Sequence, residues 1–93
     1  MLVKVRFGRR FAAEAGFPEV ELTLPEGASA AALLQAVARS APKLSCLDGA
    51  GRTVDLSVAN LSVNGRSVDP RAPEAAKLKE GDAAYLFGVI GGG

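Results

Sequence analysis

An α+β fold is predicted for this chain, with one main helix packed across one face of a mixed sheet of four to five strands. Three features predict it. Runs with every second residue apolar lie near both ends of the 93-residue chain, and one strongly helix-forming stretch sits between them. An Asn64-Gly65 dipeptide marks a hairpin further along. The length suits one domain and leaves no room for a second core.

The elements follow in order. "LVKVRFG", residues 2 to 8, places Val3, Val5 and Phe7 on one face and Lys4 and Arg6 on the other, as in a half-buried strand. The stretch "RRFAAEAGFPE" reads as a polar, glycine-bearing loop leading to a second strand, "VELTL", residues 20 to 24. Pro25 and Gly27 break that strand, and Ser29 is the expected N-cap, its hydroxyl accepting from a free amide of the first turn. Ala30 to Arg39 is then helical, with Ala30, Leu33, Leu34, Val37 and Ala38 forming the apolar face, and Pro42 closes it. Residues 43 to 60 are least regular; "DGAG" marks a turn, and Leu44, Leu47, Val54 and Leu56 pin the segment to the core. "NLSVNGRSVD" reads as a hairpin, because a type I′ turn needs positive φ at both central residues. Pro70 and Pro73 flank another loop. Glu80-Gly81-Asp82 turns the chain into a last strand, Ala83 to Phe87. If the first and last strands run parallel in the middle of the sheet, the arrangement is the β-grasp fold.

Composition removes several functions. Eleven basic and ten acidic residues leave a net charge of +1, too balanced for a general nucleic-acid binder. No apolar run approaches the roughly 20 residues that span a bilayer, so no membrane partner is expected. The alternating start reads as a strand and not as a signal peptide. There is no histidine, which removes the usual general base and the commonest metal ligand. No metal site is expected, and the chain reads as something other than a free-standing enzyme. Cys46 is the only cysteine; it reads as a small buried hydrophobe, and its solitude fits a cytoplasmic location.

The pieces "VKVRF", "VELTLPEGASAAALLQAV", "NLSVNGRSVD" and "LKEGDAAYLF", with Gly92-Gly93 within six residues of the last, occur here in that order. In this order the chain resembles the ubiquitin-like sulfur carriers of the MoaD/ThiS family over nearly its whole length. Family members often carry proline directly after the "LF", where this chain has Gly88 and Val89. The long middle segment favours the molybdopterin type over the shorter thiamin type. The resemblance implies a β-grasp domain over residues 1 to 87 and a flexible glycine tail over residues 88 to 93. It also implies a cycle in which a ubiquitin-activating-type adenylating enzyme uses ATP and magnesium to adenylate the Gly93 carboxylate. A sulfur donor protein then displaces AMP to leave a thiocarboxylate. In molybdopterin synthase, that sulfur passes to a pterin precursor held by the large subunit. The chain itself is expected to bind no cofactor.

Glycine suits this task. Gly91, Gly92 and Gly93 carry no Cβ to widen the thread or restrict its dihedrals. Residues 88 to 93, fully extended, reach on the order of 20 Å. On the last strand, Ala84 and Leu86 are expected to face the helix, with Tyr85 and Phe87 on the opposite face beside Lys4, Arg6 and Ser62. Phe87, Val89 and Ile90 would seat the root of the tail against a partner. The aromatic pair also suits ordinary sheet packing, and Lys4 and Arg6 also suit a solvated strand face. Three functions stay open: the molybdopterin synthase small subunit, a carrier for thiamin or cysteine synthesis, and a modifier joined through Gly93 to lysines. A non-activated interaction domain of the same fold is a further alternative.

Overall fold

The computed structural model describes residues 1–48, 54–55, 58–69 and 71–88. The expectations for Leu56, Pro70, the glycines of "DGAG" and the tail residues Val89, Ile90, Gly91, Gly92 and Gly93 lie outside the described residues. Strand β1 is Leu2–Phe7, helix α1 Arg9–Ala15, β2 Glu19–Thr23 and α2 Ala30–Ser40. Strand β3, Ala59–Val63, and β4, Arg66–Ser67, form the hairpin; a short 3-10 helix, Pro73–Ala75, precedes β5, Ala83–Gly88. The sheet order is β2-β1-β5-β3-β4. Strands β1 and β5 run parallel, and the other neighbours are antiparallel. This is the β-grasp arrangement.

Alternation in the sequence becomes alternation in burial. Val3, Val5 and Phe7 are buried, and Leu2, Lys4 and Arg6 are exposed. Every expected apolar position of α2 is buried, and Ala36 joins them. Leu61 and Leu86, paired in register between β3 and β5, complete the layer beneath the helix.

Two expectations are corrected. The connection between β1 and β2 is helical, not a loop. Its residues are good helix formers apart from Phe11, and Phe11 drops into the core with no exposed surface. Gly16 ends α1 at φ 90°, donating its N–H to the Ala12 carbonyl, a backbone state that glycine adopts without Cβ strain. The second correction concerns Ser29. It is the N-cap residue of α2, yet its hydroxyl makes no capping hydrogen bond. The first helical amide instead donates to a backbone carbonyl, from Ala30 N to Ala76 O at 2.8 Å. Leu78 N returns a bond to Ala28 O at 2.9 Å. The segment before β5 thus takes over the work of the cap.

The irregular segment after α2 is pinned as expected where it is described. Leu44, Leu47 and Val54 are buried, and Leu47 and Val54 form an isolated bridge. Cys46 lies 1 % exposed beneath this segment, and burial pushes its thiol up to about 11. Above it, both carboxylate oxygens of Glu14 accept from the Ser45 hydroxyl, at 3.0 and 2.9 Å, tying α1 to the segment.

Candidate docking face

The face of the sheet away from α2 is built by register. Tyr85 lies between Arg6 of β1 and Ser62 of β3, Ala83 lies beside Lys4, and Phe87 pairs with Asn60. Because paired residues project to the same side of a sheet, these side chains share one surface. Ala84 and Leu86 point the other way and are buried. Lys4, Arg6, Ser62, Tyr85 and Phe87 therefore come together as the sequence predicts.

The surface is organised in strips. Glu19 and Glu21 of β2 form an acidic edge, and Lys4 and Arg6 of β1 a basic strip. Tyr85 and Phe87 form an aromatic strip, followed by Asn60, Ser62 and Ser67 on the polar side. The two rings stack at 5.0 Å between centroids with 21° between their planes. Tyr85 is 41 % exposed, whereas Phe87 is half-buried. An open aromatic pair of this kind offers a large rigid area at little entropic cost to a partner.

The basic strip is less uniform than the sequence suggests. Lys4 Nζ lies 3.5 Å from Glu19 Oε2, so its charge is partly spent within the sheet. Arg6 makes no ion pair among the described residues, although Glu19 is its register partner. Arg6 is thus the freer cation beside the rings. Sequence reasoning placed Glu19 in the turn and missed this selection. The alternation of Glu19, Glu21 and Thr23 against Val20 and Leu22 carried the signal.

The exit of the chain is held on both sides. Gly8 N donates to Leu86 O at 2.8 Å, and Gly88 pairs with Ala59. Gly88 consequently belongs to the sheet, whereas the sequence reading gave it to the tail. The reason is that β3 extends the pairing beyond the aromatic residues, through Ala59. Among the described residues no group of three or more metal-ligating side chains comes together. No described helix is long and apolar enough to cross a membrane.

A mixed five-stranded sheet with parallel β1 and β5 and a helix across one face defines a ubiquitin-like β-grasp protein. The particular kin are shown by sequence: a family model described as the ThiS family matches residues 5–93, and the chain belongs to that family. Members of this family are small ubiquitin-like carrier proteins rather than catalysts. Among solved structures, a protein of Pyrococcus furiosus described as molybdopterin converting factor subunit 1 is 31% identical. It matches over 97% of this chain and 99% of its own, with a TM-score of 0.75. SAMP1 from Haloferax volcanii shares the fold at a TM-score of 0.83 and 21% identity, with both chains covered completely. Urm1 from Trypanosoma brucei shares it at 0.59 and 17% identity, over 99% of this chain and 95% of its own. Among curated proteins, none matches the chain significantly.

Proposed function

We propose that this protein is a cytoplasmic sulfur carrier acting through the carboxylate of Gly93, as the small subunit of a molybdopterin synthase. One observation carries the reading: the family match runs through Gly93, and the Pyrococcus furiosus relative described as a molybdopterin converting factor subunit is similar over 97% of this chain and 99% of its own.

A carboxylate resists nucleophiles because resonance and its negative charge both oppose attack. An adenylating enzyme of the ubiquitin-activating type overcomes this with ATP and magnesium. The carboxylate oxygen of Gly93 attacks the α-phosphorus, pyrophosphate leaves, and the acyl carbon acquires AMP as a good leaving group. The outer sulfur of a persulfide on a donor protein then attacks that carbon and expels AMP. A thiol, as reductant, next attacks the donor sulfur of the resulting acyl disulfide, forming a disulfide with the donor and freeing the thiocarboxylate. Water must be kept from the acyl-adenylate, which requires the tail to enter a narrow, closed site. Glycines at 91 to 93 suit such a passage, and the five residues after Gly88 reach about 17 Å when extended. Tyr85, Phe87 and Arg6, aided by Lys4 and by Val89 and Ile90 at the root, dock the large subunit and the adenylating enzyme in turn. The ATP and magnesium belong to the enzyme, and this chain binds neither.

Removing Gly92 and Gly93 tests the reading. The truncated protein is expected to melt like the full chain yet to support no ATP–pyrophosphate exchange with the adenylating enzyme. Exchange at the normal rate would refute the proposal. The likeness in fold to SAMP1 favours a second reading, conjugation of Gly93 to lysines. Both begin with the same adenylate, and they part at the product: Gly-Gly remnants on lysines of other proteins identify the modifier.

A further inference from the structure

At the end of the sheet remote from Gly88, a groove of about 770 Å³ opens between the β3–β4 hairpin and the segment leading to β5. Apolar side chains of Val63, Val68, Ala72, Ala75 and Ala76 share its lining with polar groups. Its rim carries three exposed cations from separate elements: Arg66 of β4, Lys77 beside the N-terminus of α2, and Lys79 of the turn before β5. Among the described residues, no carboxylate lies within ion-pair distance of any of the three.

Two carboxylates share the groove, and both are engaged already. Asp82 Oδ1 accepts from Asn64 Nδ2 at 2.9 Å, and its Oδ2 accepts from the Lys79 backbone N–H at 2.8 Å. Asp69 Oδ1 accepts from the Arg71 N–H at 2.9 Å and pairs with Arg71 Nε at 3.4 Å. Asp82 is buried, whereas Asp69 is exposed and its charge is met by Arg71, so the exposed rim keeps an excess of positive charge. Asn64 and Asp82 also brace one wall: Ala83 N donates to Asn64 Oδ1 at 3.0 Å, and Asn64 N to Ala83 O at 2.8 Å. A wall held this way loses little entropy on binding.

We propose that this groove is a second docking site, taking an acidic, extended segment of a partner protein. Charge complementarity selects the acidic character. The valine and alanine side chains in the lining favour a peptide over a free anion, because phosphate gains nothing from them. Cations spread over three elements also match carboxylates spaced along a chain better than one compact ion. The volume lies in the range of pockets that enclose a few residues. Strand β5 separates the groove from the root of the tail by on the order of 20 Å. A partner held here meets the Tyr85 face only at its Ser67 edge and leaves Tyr85, Phe87 and Gly88 open, so two proteins can engage the carrier at once.

The test is a titration of the ¹⁵N-labelled full chain at low salt with a capped Glu-Val-Glu-Ala-Glu peptide. The matching lysine peptide and inorganic phosphate serve as comparisons. Amide shifts are expected within residues 63–69 and 71–82, with Tyr85 and Phe87 unmoved. The double variant Arg66→Glu/Lys77→Glu should weaken the peptide by roughly tenfold, and the milder Arg66→Gln/Lys77→Gln by a smaller factor in the same direction. Silent groove amides at millimolar peptide would overturn the proposal. So would equal binding by the reversed variant, or phosphate shifts matching those of the peptide. No adenylating enzyme is present, so the outcome is independent of the chemistry at Gly93.

Discussion

Tyr85 sits more open to solvent than any other aromatic residue of the sheet, and its ring is held by Phe87 rather than by the core. Replacing it by alanine removes little buried surface, so the melting temperature should barely move. Affinity for the adenylating enzyme should instead fall by about 1–2 kcal/mol or more, as for a central aromatic anchor, and calorimetric titration reads the difference. A large loss of stability with unchanged affinity would assign the ring to packing. Cys46 makes the opposite case. Its thiol is buried and raised to about 11, so almost none is thiolate at neutral pH. A thiol reagent should leave the native protein unlabelled for hours and label it at once in denaturant; fast native labelling would give Cys46 a chemical role.

Among the strands and α-helices, α1 is the one that sequence reasoning lost. "RRFAAEA" has helix-forming composition, but seven residues bounded by glycines give too short a stretch for periodicity to declare itself. Tertiary contact supplies the rest, through Phe11 in the core and Glu14 on Ser45. Phe11→Ala should cost about 3–5 kcal/mol in urea unfolding, far more than a loop residue would. The hairpin, by contrast, was legible to the residue. Asn64 at φ 52° and Gly65 at φ 83° adopt the positive φ that the dipeptide announces. What the dipeptide did not announce is the bond from Asn64 to Asp82, because that partner is eighteen positions away.

That bond carries a pH dependence. The Asn64 amide, and then the Lys79 N–H, hold the Asp82 carboxyl below its usual range. The folded state therefore binds this proton more weakly than the unfolded state, whose value is about 3.9. The stabilisation is complete above the unfolded value and is lost as pH falls through the folded one. Asp82→Asn retains one acceptor oxygen of two and should lower stability by about 1–2 kcal/mol at neutral pH. Thermal melts across acid pH should show the gap between the proteins narrowing below about pH 4. A gap that stays constant would mean that the carboxylate charge does not matter.

Over the whole molecule, the sheet divides into two ends joined by β5. One end carries the exit of the chain, fixed by Gly8 and Ala59, and the other carries the basic groove. The outward face and the α2 core were legible because alternation and helical spacing record which side of each element is buried, whereas the parallel β1–β5 pair entered only as a condition that the family resemblance supplied. The groove was not legible. Arg66, Lys77 and Lys79 look like scattered surface charges until folding sets them around one groove, with Asp82 buried and Asp69 paired to Arg71. For the tail, only glycine composition and the family pattern speak. Its role is tested most directly by mass spectrometry of the carboxyl-terminal peptide of the protein isolated from its native cell. The account predicts a peptide ending at Gly93 with one oxygen of its carboxylate replaced by sulfur. A chain continuing past Gly93 without processing, or one that keeps an unmodified carboxylate throughout, would contradict it.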